Sequence, residues 1–163
     1  MLGAMPLARL IPLAILLASV GALGVAYTAQ YAFDLEPCIL CLYQRVPFAT
    51  VGLLAMAALR WPRLAPGACA LSGMVFAVGA GIAAYHVGVE QHWWASVAGC
   101  GGGLPPPMSA AEFKQSLLAK PPKACDEVDW TLFGISMAGY NVAYSSALAV
   151  MALAGAWRMK AEA

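Results

Sequence analysis

Charged residues are absent from three long apolar stretches of the chain. No Asp, Glu, Lys or Arg occurs from Leu10 to Phe33, from Leu64 to Val89 or from Trp130 to Trp157. A helix needs about 20 mainly apolar residues to cross the hydrocarbon core of a bilayer. Each stretch therefore predicts one membrane-spanning helix, and these three are the first, third and fourth helices of the chain.

A further apolar stretch lies between Glu36 and Arg60 and is also long enough to span, although Arg45 interrupts it. The predicted helices then cover residues 10–33, 37–60, 64–90 and 130–157, with a long polar segment at 91–129. Short connections between neighbouring helices predict an all-α, antiparallel four-helix bundle within one membrane domain, residues 1–163. The alternative for the first stretch is a cleaved signal peptide, whose apolar region is usually about 7 to 15 residues long.

Composition and charge support a membrane protein. The chain is 62% hydrophobic and 10% charged, whereas soluble domains are roughly 25% charged. Its net charge of +1 and the absence of a basic stripe give no basis for nucleic-acid binding. Positive residues near helix ends are retained in the cytoplasm. The predicted inner side contains one acid, Glu162, and a basic set, so both termini are predicted to be cytoplasmic; that set is Arg9, Arg60, Arg63, Arg158 and Lys160.

Five cysteines carry the functional signal. Cys38 and Cys41 open the second helix, Cys100 and Cys125 lie in the long segment, and Cys69 is alone in the third helix. Disulfides persist in an oxidising outer compartment, so the four outward cysteines form either two structural disulfides or a redox relay. Cys69 lies among Ala and Leu and is predicted to be a small packing residue.

The Cys38 and Cys41 pair has the setting of a reactive dithiol. Pro37 suits the first turn of a helix, which places both thiols one turn apart in the opening turn. A helix N-terminus and a nearby cation stabilise a thiolate, and Arg45 lies on the same helical face. The alternatives are a zinc knuckle or an inert pair for the cysteines, and a side chain reaching lipid headgroups for Arg45.

The second cysteine pair lies in a different setting. Cys100 is followed by three glycines and then by Pro105, Pro106 and Pro107, so no helix can form there, and a partner thiolate would have the access that exchange requires. Ser109 and Glu112 form a capping box, which predicts a short amphipathic helix lying on the membrane. The alternative is an ordinary loop disulfide.

His86 is a further ionisable residue at membrane depth, with Glu90 one turn beyond it on the same face. Polar residues within membrane helices are functional candidates. The alternative is an interfacial histidine bonded to Glu90 or to lipid. His92 lies outside the span and receives no role.

The sequence resembles the bacterial disulfide bond formation protein B (DsbB) family. The resemblance rests on the run Pro37 to Arg45, the run Tyr85 to Gln91, the pair Cys100 and Cys125, and the run Asp129 to Gly134. It implies a quinone-dependent thiol oxidase of the bacterial inner membrane, with its cysteine pairs on the periplasmic side. The implied cofactor is a membrane quinone, ubiquinone rather than menaquinone.

The same resemblance implies the partners and the site residues. A periplasmic thioredoxin-like thiol oxidase of the DsbA type would exchange with Cys100 and Cys125, and the respiratory quinone pool would be served from Cys38 and Cys41. Arg45 and His86 would lie beside the quinone ring, and membrane lipid would surround the bundle.

Two other classes of function stay open at the level of sequence. Four outward cysteines could instead chelate zinc or copper(I), or two stapling disulfides could brace a structural membrane protein. The vitamin K epoxide reductase type of quinone-linked oxidoreductase shares the chemistry but lacks the motif context seen in this chain.

Overall fold

The computed structural model describes residues 6–97, 100, 109, 123–128 and 130–161. Four long helices occur there, α1 (Leu7–Ala32), α2 (Ile39–Arg60), α3 (Ala65–Glu90) and α4 (Met137–Ala161), and a short 3-10 turn at Pro62–Leu64 precedes α3. All four are long and apolar enough to cross a membrane. The predicted four-helix membrane fold is therefore confirmed, whereas the predicted amphipathic helix that begins at Ser109 falls largely outside the described residues.

Small residues and a few aromatic rings form the core between the helices. Phe48 and Phe76 meet edge to face with their ring centroids 5.6 Å apart. At Gly73, an added Cβ would lie 2.6 Å from the Leu153 side chain, so only glycine permits this approach of α3 to α4. Close packing through small residues is how membrane helices associate without a hydrophobic driving force. Cys69 is 1% exposed within this core, in agreement with its predicted packing role.

A tight reversal joins α1 to α2. Asp34 adopts a positive φ of 52°, and the Leu35 N–H donates to the Ala29 carbonyl at 3.1 Å. A left-handed residue followed by a backward hydrogen bond is a common helix termination. Since α2 begins at Ile39 with Cys38 as its N-cap, Pro37 lies just before the helix and not in its first turn as predicted.

The fourth helix begins seven residues later than the predicted start at residue 130. A hairpin precedes it, in which Thr131–Leu132 pairs with Ile135–Ser136. Phe133 and Gly134 form its tip with φ values of 50° and 78°, a pair of positive angles that suits a two-residue hairpin turn. The Ser136 side-chain oxygen then accepts from the Gly139 N–H at 3.1 Å and caps α4.

Candidate functional site

The Cys38 and Cys41 thiols lie at the N-terminal end of α2. Their Sγ atoms are 3.1 Å apart, and the Cys41 backbone N–H donates to Cys38 Sγ at 3.3 Å. Cys38 lies just before the membrane-spanning helix and is 5% exposed. The hydrogen bond with the Cys41 thiol lowers the pKa of Cys38, helped by His86 and the Cys41 N–H and opposed by burial. The predicted stabilisation of a thiolate by the helix N-terminus therefore has a geometric basis at Cys38.

The second pair, Cys100 and Cys125, forms a disulfide. The Cys125 N–H also donates to the Cys100 carbonyl at 2.5 Å. Both half-cystines are buried and pack with Cys38 in one apolar cluster that includes Leu40 and Val89. The structure thus brings the two predicted cysteine pairs together.

Contacts of Tyr85 and Trp94 hold the segment after α3 against the bundle. Tyr85 and Trp94 stack with ring centroids 5.9 Å apart, and the Trp94 indole N–H donates to the Tyr85 carbonyl at 3.1 Å. The Tyr85 hydroxyl accepts from the Val97 N–H at 2.8 Å. Farther along, Ser96 Oγ lies 3.0 Å from Cys100 Sγ. These contacts direct the chain from the end of α3 back toward the disulfide.

His86 lies against Cys38 and is buried. Its Nε2 is 3.6 Å from Cys38 Sγ and 3.8 Å from Glu90 Oε1, and the ring also interacts with the backbone of Cys125. Glu90 accepts a hydrogen bond from the Ser136 hydroxyl at 2.5 Å. The pairing of His86 with Glu90, which the sequence offered as the alternative to a functional role, is therefore present, and His86 also lies against Cys38.

Three polar residues of this region were missed at the level of sequence. Gln44 Nε2 lies 2.8 Å from His86 Nδ1, and Asn141 donates to Gln44 Oε1 at 2.5 Å. Ser145 in turn donates to Asn141 Oδ1 at 2.8 Å. Their position within predicted membrane helices was a signal that they could be functional. The residues that they contact lie on three different helices, however, and no spacing along the sequence connects them.

Arg45 lies one turn beyond Cys41 and faces α1. Its guanidinium donates to Gln30 Oε1 at 2.6 Å and to the Ala26 carbonyl at 3.4 Å, and it lies 4.8 Å from the centroid of the Tyr27 ring. Every one of these partners is neutral. No carboxylate is within ion-pair distance of Arg45 among the described residues, so its charge is not neutralised there.

An apolar groove runs between α2 and α3 on the outside of the bundle. The part nearer the N-terminal end of α2 has a volume of about 580 Å³ and the neighbouring part about 460 Å³, and the two parts share Tyr43, Val78 and Ile82. Neither Cys41 nor Arg45 lines either part. The groove therefore lies on a different face of α2 from that of the predicted quinone residues.

One group of side chains in the described ranges has the spacing of a metal site. The ligand atoms of Cys38, Cys41 and His86 lie within 4.8 Å of one another. The four-cysteine metal site considered as an alternative is not formed, because Cys100 and Cys125 are joined to each other.

Comparison with known proteins identifies the family. The model of the family described as disulfide bond formation protein DsbB matches residues 8–155. The chain belongs to the DsbB family. No solved structure matches it.

Several relatives, each named disulfide bond formation protein B, support the assignment to the DsbB family. The Methylobacillus flagellatus protein is 34% identical over 149 residues, which cover 88% of this chain and 90% of the relative. The protein from Xanthomonas campestris pv. campestris is 36% identical over 144 residues, covering 84% and 83% respectively. The Hahella chejuensis protein is 35% identical over 148 residues, covering 85% and 87%.

Membership of the DsbB family establishes the general activity. The chain is a disulfide-forming oxidoreductase and a multi-pass protein of the inner membrane. The family is linked to quinone and acts with DsbA. Of the three functions that the sequence left open, disulfide formation is the one that the comparisons support.

Proposed function

We propose that this protein reoxidises a periplasmic thioredoxin-like oxidase of the DsbA type and passes the electrons to a membrane quinone. The observation that supports this most is the burial of Cys38, Cys100 and Cys125 in one cluster. Thiol–disulfide exchange requires a thiolate to reach the sulfur that it attacks. Two cysteine pairs that share a cluster can exchange without a diffusing carrier.

Each cysteine has a distinct role in this proposal. The partner thiolate attacks Cys100, forms a mixed disulfide with it and releases the Cys125 thiolate. When Cys38 and Cys41 are joined as a disulfide, Cys125 attacks Cys38 and forms a Cys38–Cys125 disulfide. Cys41 then leaves as the thiolate that faces the quinone. A DsbA-type partner has a dithiol potential of about −120 mV, so its reoxidation requires a stronger acceptor than most protein disulfides provide.

Arg45 fits the neighbourhood of a quinone because its positive charge lies within a membrane helix and has only neutral partners. A bound quinone would supply the two-electron acceptor chemistry. Arg45 would stabilise the Cys41 thiolate and would donate hydrogen bonds to a quinone oxygen. We assign the quinone ring to the α1-facing side of α2, where Cys41 and Arg45 lie, and the groove between α2 and α3 to lipid chains.

The remaining assignments are also proposals. Ubiquinone is the preferred acceptor because its reduction potential is higher than that of menaquinone. Both termini face the cytoplasm and both cysteine pairs face the periplasm, following the distribution of Lys and Arg. The contacts of His86 support a role at the Cys38 sulfur in place of the direct quinone contact that the resemblance implied.

A reconstituted reaction tests the proposal. The purified protein is mixed with ubiquinone and a reduced thioredoxin-like oxidase, and the loss of quinone absorbance is followed. We expect one quinone reduced for each partner disulfide formed, and no reaction when either substrate is omitted. Partner oxidation that proceeds at the same rate without quinone contradicts the proposal.

A further inference from the structure

A chain of hydrogen bonds crosses the interior of the bundle from α4 to α3. It runs from Ser145 through Asn141 and Gln44 to His86. Ser145 is fully buried and Gln44 is 7% exposed. Burying an unpaired amide is costly, so the partners of these side chains determine how each amide is oriented.

The orientation of the Gln44 amide follows from Leu40. The Leu40 carbonyl can only accept, and it lies 3.3 Å from Gln44 Nε2, which must therefore be the amide nitrogen. The same nitrogen lies 2.8 Å from His86 Nδ1. His86 Nδ1 therefore accepts a hydrogen bond and carries no proton.

Asn141 and Ser145 hold the Gln44 amide in this orientation. Asn141 Nδ2 donates to Gln44 Oε1, and the Ser145 hydroxyl donates to Asn141 Oδ1. Rotating the Gln44 amide group by half a turn would place its oxygen against the Leu40 carbonyl oxygen and its nitrogen against the Asn141 amino group. The first contact would then join two acceptors and the second two donors, so both hydrogen bonds would be lost.

We propose that Gln44, Asn141 and Ser145 form an amide relay that fixes His86 as the Nε2–H tautomer and directs this N–H toward the Cys38 sulfur. The surroundings of Nε2 agree, because the two nearby polar atoms, Cys38 Sγ at 3.6 Å and Glu90 Oε1 at 3.8 Å, can both act as acceptors, and the sulfur is the one within hydrogen-bond distance. If Nδ1 were also protonated, its N–H and the Gln44 amide N–H would point at each other, and neither would have an acceptor there.

The relay deepens the proposed function, since it rests on Cys38 being the exchanging thiol. When Cys100 attacks Cys125 of the Cys38–Cys125 disulfide, the loop disulfide forms again and Cys38 leaves as a thiolate. The Nε2–H stabilises this thiolate, because a hydrogen bond to a charged acceptor is stronger than one to a neutral acceptor. The relay also leaves Nε2 without a lone pair for a cation, while the lone pair on Nδ1 is occupied by the hydrogen bond from Gln44. Gln44, Asn141 and Ser145 are positioning residues in this scheme and do not touch the reacting sulfur.

Nitrogen-15 NMR tests the tautomer directly. The chain has two histidines, so ¹⁵N-histidine labelling gives two rings, and His92→Gln identifies that of His86. We expect a bare Nδ1 and a protonated Nε2 in the wild type, and a mixture of tautomers in Gln44→Leu. Asn141→Leu should give the same mixture of tautomers, and it replaces Gln44→Leu as the test variant if Gln44→Leu does not fold. Ser19→Ala removes a different fully buried serine and should leave the tautomer unchanged.

The rate of Cys38 alkylation tests the link to chemistry. In a Cys41→Ser, Cys69→Ala background with the loop disulfide intact, Cys38 is the remaining free thiol. Gln44→Leu and His86→Phe should each slow iodoacetamide modification by about tenfold, the effect of losing one hydrogen bond to a charged group. Because both act through one N–H, the double variant should be no slower than either single variant.

The outcomes separate the relay from the proposed function. A bare Nε2, a doubly protonated ring, or an unchanged tautomer in both relay variants overturns the relay. Additive slowing in the double variant overturns the connection between the relay and Cys38. If the expected tautomer is found but the wild type fails to reduce quinone, the relay stands and the proposed function is wrong.

Discussion

Replacing Arg45 by Met removes a positive charge at membrane depth and keeps an unbranched apolar stem. Arg45 and Cys41 are one helical turn apart on α2, and the guanidinium contacts only neutral groups. Residues one helical turn apart have Cβ atoms about 6 Å apart. If the two charges keep that separation at an effective dielectric constant of about 20, each stabilises the other by about 3 kcal/mol. That energy corresponds to about a hundredfold in rate, and removing a preorganised donor typically costs about 10² to 10³.

Steady-state kinetics at varied quinone concentration measure the effect. We expect kcat/KM for quinone to fall about a hundredfold in Arg45→Met, while single-turnover exchange between the partner and Cys100 stays within about twofold. Arg45→Lys should fall between the two, because it keeps the charge and loses the planar fork.

Arg60 provides a matched control for Arg45. It is an arginine on the same helix, at the opposite end, and its guanidinium lies 5.5 Å from the Trp61 ring centroid. Arg60→Met should leave the quinone parameters unchanged. An Arg45 that only reaches lipid headgroups predicts lower expression with normal kinetics, and unchanged quinone parameters in purified Arg45→Met would remove this residue from the proposed site.

Three further predictions concern topology and the cysteines. After reduction of intact cells, an impermeant thiol reagent should label Cys100 or Cys125; protection of both would contradict the proposed orientation. Cys69→Ala should keep at least half of the turnover, because Cys69 lies in the core away from the other thiols, and a loss beyond tenfold in folded protein would contradict this. Cys100→Ser should abolish oxidation of the partner protein but still reduce quinone with a small dithiol, whereas Cys41→Ser should abolish both. Identical failure of these two variants with the small dithiol would refute the division of roles.

The sequence was sufficient to predict the four helices, because the absence of charge over a bilayer's thickness is a strong local signal. It placed the start of the fourth helix too early for the same reason. Residues 130–136 are uncharged, but Phe133 and Gly134 turn the chain and Ser136 caps the helix. Charge counting does not detect a turn within an apolar segment.

The candidate site was predictable only where its chemistry is local. The spacing of Cys38 and Cys41 indicated a pair, and the structure adds the N-cap geometry of Cys38. The contact between Gln44 and Asn141 joins residues 97 positions apart, and the partners of Arg45 come from α1. Such pairings depend on how the helices rotate against one another, which a single sequence does not determine.

Ser136 performs two tasks with one hydroxyl group. Its oxygen caps α4, and its hydrogen is donated to Glu90 at the end of α3. The start of the last helix is therefore complete only when the third helix is already in place beside it. During biogenesis this order matches the direction of synthesis, since α3 leaves the ribosome before the hairpin does. A chain interrupted before residue 136 would leave the Glu90 carboxylate without this donor.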